Sequence, residues 1–241
     1  MKKEYWIVII VYIAMQLSSL VGLPILLFSF KSFGISQSLA VPVWLIASFS
    51  IALLIILFIL RKEMNTQSFE KRGGSSVGES VIWAIIGVFL AYFAQIFAAM
   101  IETLLGVEMG SENTQNILHI IEIMPAAVIV TSIIGPILEE IVFRKIIFGA
   151  MYKRFNFFIS ALISSVIFAA AHMEFQHILL YSAMGFTFAF LYVKTKHILV
   201  PIFAHVTMNT LVVLVQTVYK DDIERLRREA EAIQNFIGGF L

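Results

Sequence analysis

Thr131-Ser-Ile-Ile-Gly-Pro-Ile-Leu-Glu-Glu-Ile-Val-Phe-Arg144 sets three ionisable side chains, Glu139, Glu140 and Arg144, inside an apolar run. A charged side chain at the centre of a bilayer costs roughly 2.5–3.5 kcal/mol even on a lenient insertion scale, so such groups mark functional sites by default. Adjacent helical residues point about 100° apart, whereas residues four apart share a face. Glu140 is therefore spaced to pair with Arg144, which leaves Glu139 free to face a cavity. Gly135-Pro136 lies just before, and proline removes a backbone hydrogen bond and kinks the helix there. A structural ion-pair network that fixes helix packing is the plainer reading of the same residues.

The composition puts this run in lipid. Of 241 residues, 60% are hydrophobic and 14% charged, with a mean hydropathy of +0.92. Soluble domains carry about 25% charged residues. The formal net charge of +1 gives no footing for a nucleic-acid partner. The absence of cysteine excludes disulfides, thiolate metal sites and a cysteine nucleophile. The first apolar run is longer than a signal-peptide core and has no clean small-residue cleavage site, so it reads as a retained helix.

A spanning helix needs about 20 mostly apolar residues. The runs are Trp6–Phe30, Val41–Leu60, Val81–Leu105, Met124–Met151, the short Phe157–His172, Phe175–Val193 and Ile198–Tyr219, with a further short helix at Asn113–Ile123. The expected fold is an all-α polytopic bundle of seven to eight transmembrane helices enclosing a polar cavity. Residues 1–110 supply N-terminal membrane helices, 111–219 the core with the polar motifs, and 220–241 an amphipathic tail with Ile223, Leu226, Ala230, Ile233 and Ile237 on one face. Lys2, Lys3, Arg61, Lys62, Lys71, Arg72, Lys153, Arg154, Lys194 and Lys196 fall on one side, which makes the N-terminus cytoplasmic. The tail cations Lys220, Arg225, Arg227 and Arg228 fall on the other side and do not fit that rule.

Two more polar motifs follow. Phe168-Ala-Ala-Ala-His172 ends in an imidazole, and its alanines allow a neighbouring helix close approach. Ala204-His-Val-Thr-Met-Asn209 places His205 and Asn209 four apart on one face. At about 1.5 Å per residue, Glu139 lies about 18 Å from Met151, His172 about 22 Å from Phe157, and His205 about 10 Å from Ile198, so all three can meet in one layer. A glutamate and a histidine can hold and deprotonate a water. A second histidine with an amide can donate to a developing oxyanion. That set suffices to hydrolyse an amide or ester near the cytoplasmic face. The same Glu139, Glu140, His172 and His205 side chains are also candidate ligands for Zn2+, so a metal-bound and a metal-free glutamate-activated water are both open. The common zinc-protease helix motif is absent, and no nucleophile elbow surrounds Ser164 and Ser165. His177 lies off the face of His172. His119 and His197 read as solvated or interfacial, and Glu102 and Glu122 as carboxylates reaching water at helix ends. Phe143 and Phe168 read as core packing.

Glu139-Glu-Ile-Val-Phe-Arg144, Phe168-Ala-Ala-Ala-His172 and His205-Val-Thr-Met-Asn209 resemble the three ordered motifs of the CPBP family, the Abi or type II CAAX-prenyl-protease-like intramembrane proteases. Ser111-Glu-Asn-Thr-Gln115 resembles its bacterial branch. The resemblance covers Ser111 to Leu214. It implies about eight helices around a conical cavity in a bacterial plasma membrane. Glu139 would then be the base that activates water with His172, Glu140 and Arg144 would support it, and His205 with Asn209 would form the oxyanion site. The expected partners are the lipid bilayer and a peptide or small membrane-protein substrate. Two other classes compete. One is a non-catalytic membrane scaffold or bacteriocin self-immunity protein, which the resemblance also implies for some members. The other is a proton-relay transporter, against which the lack of an internal repeat speaks.

Overall fold

The first apolar run is two helices. α1 (Lys3–Leu17) and α2 (Ser19–Ser32) meet at a 43° bend. Ser18 makes it: its hydroxyl donates to the Met15 carbonyl at 2.6 Å and accepts from the Trp44 indole at 3.2 Å. Adjacent serines at such a break are a recognised cause of a kink. The computed structural model of the chain describes residues 1–65 and 73–220, and 222, 225, 228 and 229 of the tail. The expected amphipathic face of the tail and the loop cations Lys71 and Arg72 lie outside the described residues.

α3 (Ala40–Asn65) and α4 (Val77–Leu104) follow. α4 starts four residues before the apolar pattern does. Ser76 and Glu79 form a capping box, with Ser76 N–H donating to Glu79 at 2.8 Å and Glu79 N–H to Ser76 Oγ at 3.3 Å. α5 (Glu112–Ile123) is short and amphipathic, capped by Ser111. α6 spans 127–151 and is helical throughout, with π-helical turns over Val130–Ile134 and Glu140–Phe148. Pro136 cannot donate to the carbonyl four residues back, so the hydrogen-bond ladder shifts just before it. α7 (Phe157–Ala171), α8 (Ile178–Thr195) and α9 (Leu199–Val218) complete the described helices.

Among the described residues, four helices are long and apolar enough to cross a membrane, or five if the bent α1–α2 pair is one span. The count of seven to eight is not reached by length and composition. α6 breaks into short α and π stretches, and α7 has only 15 residues. Outward-facing Phe28, Phe58, Phe89, Phe93 and Leu162 form an apolar exterior that suits lipid.

The packing leaves a seam. On one side α1, α3, α6 and α7 bury Val8, Ile56, Leu138, Ile146 and Phe168. On the other, α4, α8 and α9 bury Ala91, Phe188, Leu191 and Ala204. Lys2 pairs with Glu63 at 2.5 Å, and Ser75 N–H donates to the Thr195 carbonyl at 3.0 Å. His197, expected to be solvated or interfacial, is part-buried, and its Nε2 lies 3.0 Å from the Ser75 carbonyl. Lys2, Lys153 and Arg154 line one small pocket. The described basic segments therefore gather at one end of the bundle. α5 lies at the other end, where Glu122 pairs with Lys220 at 2.5 Å.

A Cβ on Gly22 would sit 1.9 Å from the Trp44 ring. Gly22→Val should therefore lower stability by roughly 1–3 kcal/mol, the usual cost of overpacking. A depressed thermal midpoint in detergent, largely restored by pairing Gly22→Val with Trp44→Leu, is the expected result.

Candidate active site

Arg144 organises the centre. Its side chain is wholly buried, as is that of Glu140, and its Nε stands 3.3 Å from Glu140 Oε2. None of its three guanidinium nitrogens finds a hydrogen-bond partner among the described residues. The planar cation lies instead among the rings of Phe168, Phe188 and Phe143, with centroids 4.2, 5.4 and 6.0 Å from Cζ. Desolvated cation–π contacts of this kind are worth about 2 kcal/mol. The expected core role of Phe143 and Phe168 is met.

Glu140 then reaches the third motif. His205 Nδ1–H donates to Glu140 Oε1 at 2.9 Å. The His205 ring stacks on Phe188, centroids 4.6 Å apart. Its other nitrogen, Nε2, stands 3.7 Å from Glu139 Oε2. The division of labour between the glutamates holds in part. Glu140 is the buried partner of Arg144, and Glu139 is partly exposed at the side chain, on a cavity wall. Both nevertheless approach His205.

His172 follows the last residue of α7, and the next residue, Met173, takes a left-handed turn at φ 58°. Its Nδ1–H donates to the Phe168 carbonyl at 2.9 Å. That bond fixes the tautomer and leaves the lone pair of Nε2 free. Glu139, His172 and Asn209 line a cavity of about 320 Å3 against α1 and α3. His172, His205 and Asn209 line a second of about 380 Å3 against α4 and α8. Asn113, Ile117, Thr131, His172 and Asn209 are walls common to both. All three motifs thus meet around shared space. The second cavity is also lined by Val107, Gly110 and Ser111, at the end opposite the basic loops. Hydrolysis was expected near the basic loops; α5 and the segment before it, not those loops, contribute walls of this cavity.

Among the described residues no three His, Asp or Glu side chains are grouped to hold a metal ion. The candidate zinc ligands Glu139, Glu140, His172 and His205 do not make up such a group.

A second polar layer went unread in the sequence. Glu102, expected to reach water, is 4% exposed. It accepts from the Leu180 N–H at 2.9 Å and lies 2.9 Å from Nδ1 of His177, whose Nε2 is 2.8 Å from the Gly110 carbonyl. His177 starts α8 as expected, but it faces the same cavity as His172. Glu174 accepts from Tyr181 at 2.6 Å, Ser111 Oγ at 2.8 Å and Asn113 N–H at 2.8 Å. Burial raises the proton affinity of this carboxyl, and those three donors outweigh it, holding the group below its ordinary value of 4.5. The only signal in the sequence was polar residues in otherwise apolar runs. His119 is exposed near Glu122, as expected.

The profile described as type II CAAX prenyl endopeptidase Rce1-like matches residues 122–211. A Bacillus subtilis (strain 168) protein named as a membrane peptidase, YdiL, is 47% identical over 245 residues, 99% of each chain. The membrane-embedded CAAX protease MroQ of Staphylococcus aureus (strain USA300) is 32% identical over 235 residues, 93% of this chain and 94% of that one. No solved structure matches.

Two outcomes are expected. Arg144→Met strands Glu140 in the interior and should cost about 3–5 kcal/mol. Adding Glu140→Gln should recover part of that loss in detergent unfolding. Glu174 is held below 4.5 in the fold, so ionised Glu174 stabilises the seat of α5 above that value and loses its effect as pH falls through the lower folded value. Hydrogen exchange at the Asn113 and Thr114 amides, corrected for intrinsic rate, should accelerate over that acid range. It should be fast at every pH in Glu174→Gln.

Proposed function

The chain belongs to the Rce1-like type II CAAX protease family, and on that premise we propose that it is an intramembrane endopeptidase that cleaves a peptide or small membrane protein with a glutamate-activated water. The observation that carries the reading is the convergence of Glu139, His172 and Asn209 on one cavity and of His172, His205 and Asn209 on its neighbour. A structural ion pair of Glu140 and Arg144 needs neither His172 nor Asn209.

Glu139 and the bare Nε2 of His172 can both accept from one water. Glu139 takes its proton as the oxygen attacks the peptide carbonyl. Asn209 donates to the oxyanion. His205, with one N–H on Glu140, supplies the other N–H from Nε2, and two carboxylates beside a single guanidinium accommodate the charge. Glu139 then passes the proton to the leaving amine. Glu140 and Arg144 do not touch the substrate; they aim His205. Low-dielectric walls strengthen each of these interactions.

We place the protein in a bacterial cell membrane with its N-terminus cytoplasmic. The gathering of Lys2, Lys153 and Lys196 at one end supports this. The alternation of helix ends between the basic end and the α5 end supports seven passes, with α1–α2 as one bent pass and α6 and α7 included.

Purified protein and a candidate peptide test the reading. Glu139→Ala should abolish cleavage while the thermal midpoint holds. Asn209→Ala should lower kcat by roughly 10²–10³, the usual effect of losing one oxyanion donor. Unchanged cleavage by Glu139→Ala would remove that residue from the chemistry. A scaffold would keep its phenotype in Glu139→Ala cells, and a transporter would lose proton-coupled flux. A strong chelator should leave cleavage intact.

A further inference from the structure

His172 has a weak position for a residue that must aim one nitrogen. It closes α7, and the chain turns away at Met173 before the next short helical turn at Phe175–His177. What holds the ring is local. The Phe168 ring meets it edge-on at 4.6 Å, and the Phe168 carbonyl takes Nδ1–H. On its face lies Tyr181, with centroids 4.1 Å apart and planes 26° apart. Tyr181 is itself buried and cannot swing, because its hydroxyl donates to Glu174 at 2.6 Å. Glu174 in turn is fixed by Ser111 and by the Asn113 N–H at the start of α5.

We propose that Tyr181 is a positioning residue for His172, locked in place by Glu174. The proposal rests on His172 taking part in hydrolysis. Rotating the imidazole by half a turn about its bond to Cβ would break the Nδ1 bond to Phe168 and withdraw Nε2 from the water. The stacked Tyr181 ring blocks that rotation. Glu174 keeps the blocking ring in plane, and the same carboxylate seats α5 over the cavity. Proper seating of α5 and correct aim of His172 are therefore one event, transmitted through two side chains. Tyr181 lines the cavity beside His172 but donates its only proton to Glu174, which leaves it no proton to give a substrate. Its effect runs through His172.

The test uses full-length, 15N-histidine-labelled protein in detergent, with the His172 signals assigned by their loss in His172→Gln. Wild type should show one tautomer, with a proton on Nδ1 and a lone pair on Nε2. Tyr181→Phe keeps the stack and should keep most of that signature. Tyr181→Leu removes the stack and should show both tautomers. Its kcat should fall roughly 10–100-fold with KM within about twofold, the scale expected from misaiming a reacting group. Glu174→Gln should fall between the two and stands as the test if Tyr181→Leu does not fold. A wild-type tautomer in Tyr181→Leu, or in Glu174→Gln where only that variant folds, would overturn the proposal, as would an undiminished kcat in a cleaving enzyme. If no form cleaves a peptide and the tautomer still scrambles in Tyr181→Leu, the positioning role stands and the hydrolase reading falls.

Discussion

A guanidinium sealed from water is the constraint from which the rest of the structure follows. Arg144 cannot be solvated where it lies, so a carboxylate must be sealed beside it. Glu140 fills that place and uses its second oxygen on His205. One ion pair thus fastens α6 to α9 and fixes the imidazole plane at the same time. The three phenyl rings around Arg144 come from α6, α7 and α8. The charge is therefore also the point on which four helices converge. Removing it would leave an unpaired carboxylate in the interior and loosen the walls of both cavities.

The three motifs were legible because each keeps helical spacing on one segment. Glu140 and Arg144, and His205 and Asn209, sit four apart, and four residues return to one face whether the turn is α or slightly wider. The closeness of both glutamates to His205 was not legible. It depends on how α6 is turned toward α9, which sets Glu139 Oε2 3.7 Å and Glu140 Oε1 2.9 Å from the His205 ring nitrogens. No hydrophobic period along one segment announces that packing. Glu102 with His177, and Glu174 with Ser111, are more than 60 residues apart and meet only once α4, α5 and α8 are packed. The same limit explains the misreading of Glu102. Near a helix end a carboxylate reaches water by default, and only the folded loop shows that His177 and the Leu180 amide reach it first.

The site therefore has two shells with different origins. The inner one is written in short motifs and fixed by charge neutralisation. The outer one consists of hydrogen bonds that hold the segment before α5 to α4 and α8. Glu174 belongs to the outer shell by its contacts with Ser111 and Asn113, and to the inner one through Tyr181. The three short motifs sit in the first shell, and the cavity walls at Gly110, Ser111 and Asn113 belong to the second.

The brevity of α7 has a consequence for the solvent. Fifteen residues rise about 22 Å, and a typical hydrocarbon core is about 30 Å thick. Phe158, Leu162 and Ile167 turn outward and give that helix an apolar outer face along its length. A segment too short for its membrane draws the leaflets together around it. A bilayer that α7 crosses would thin beside it, and its headgroups would come nearer to the imidazole at the end of that helix.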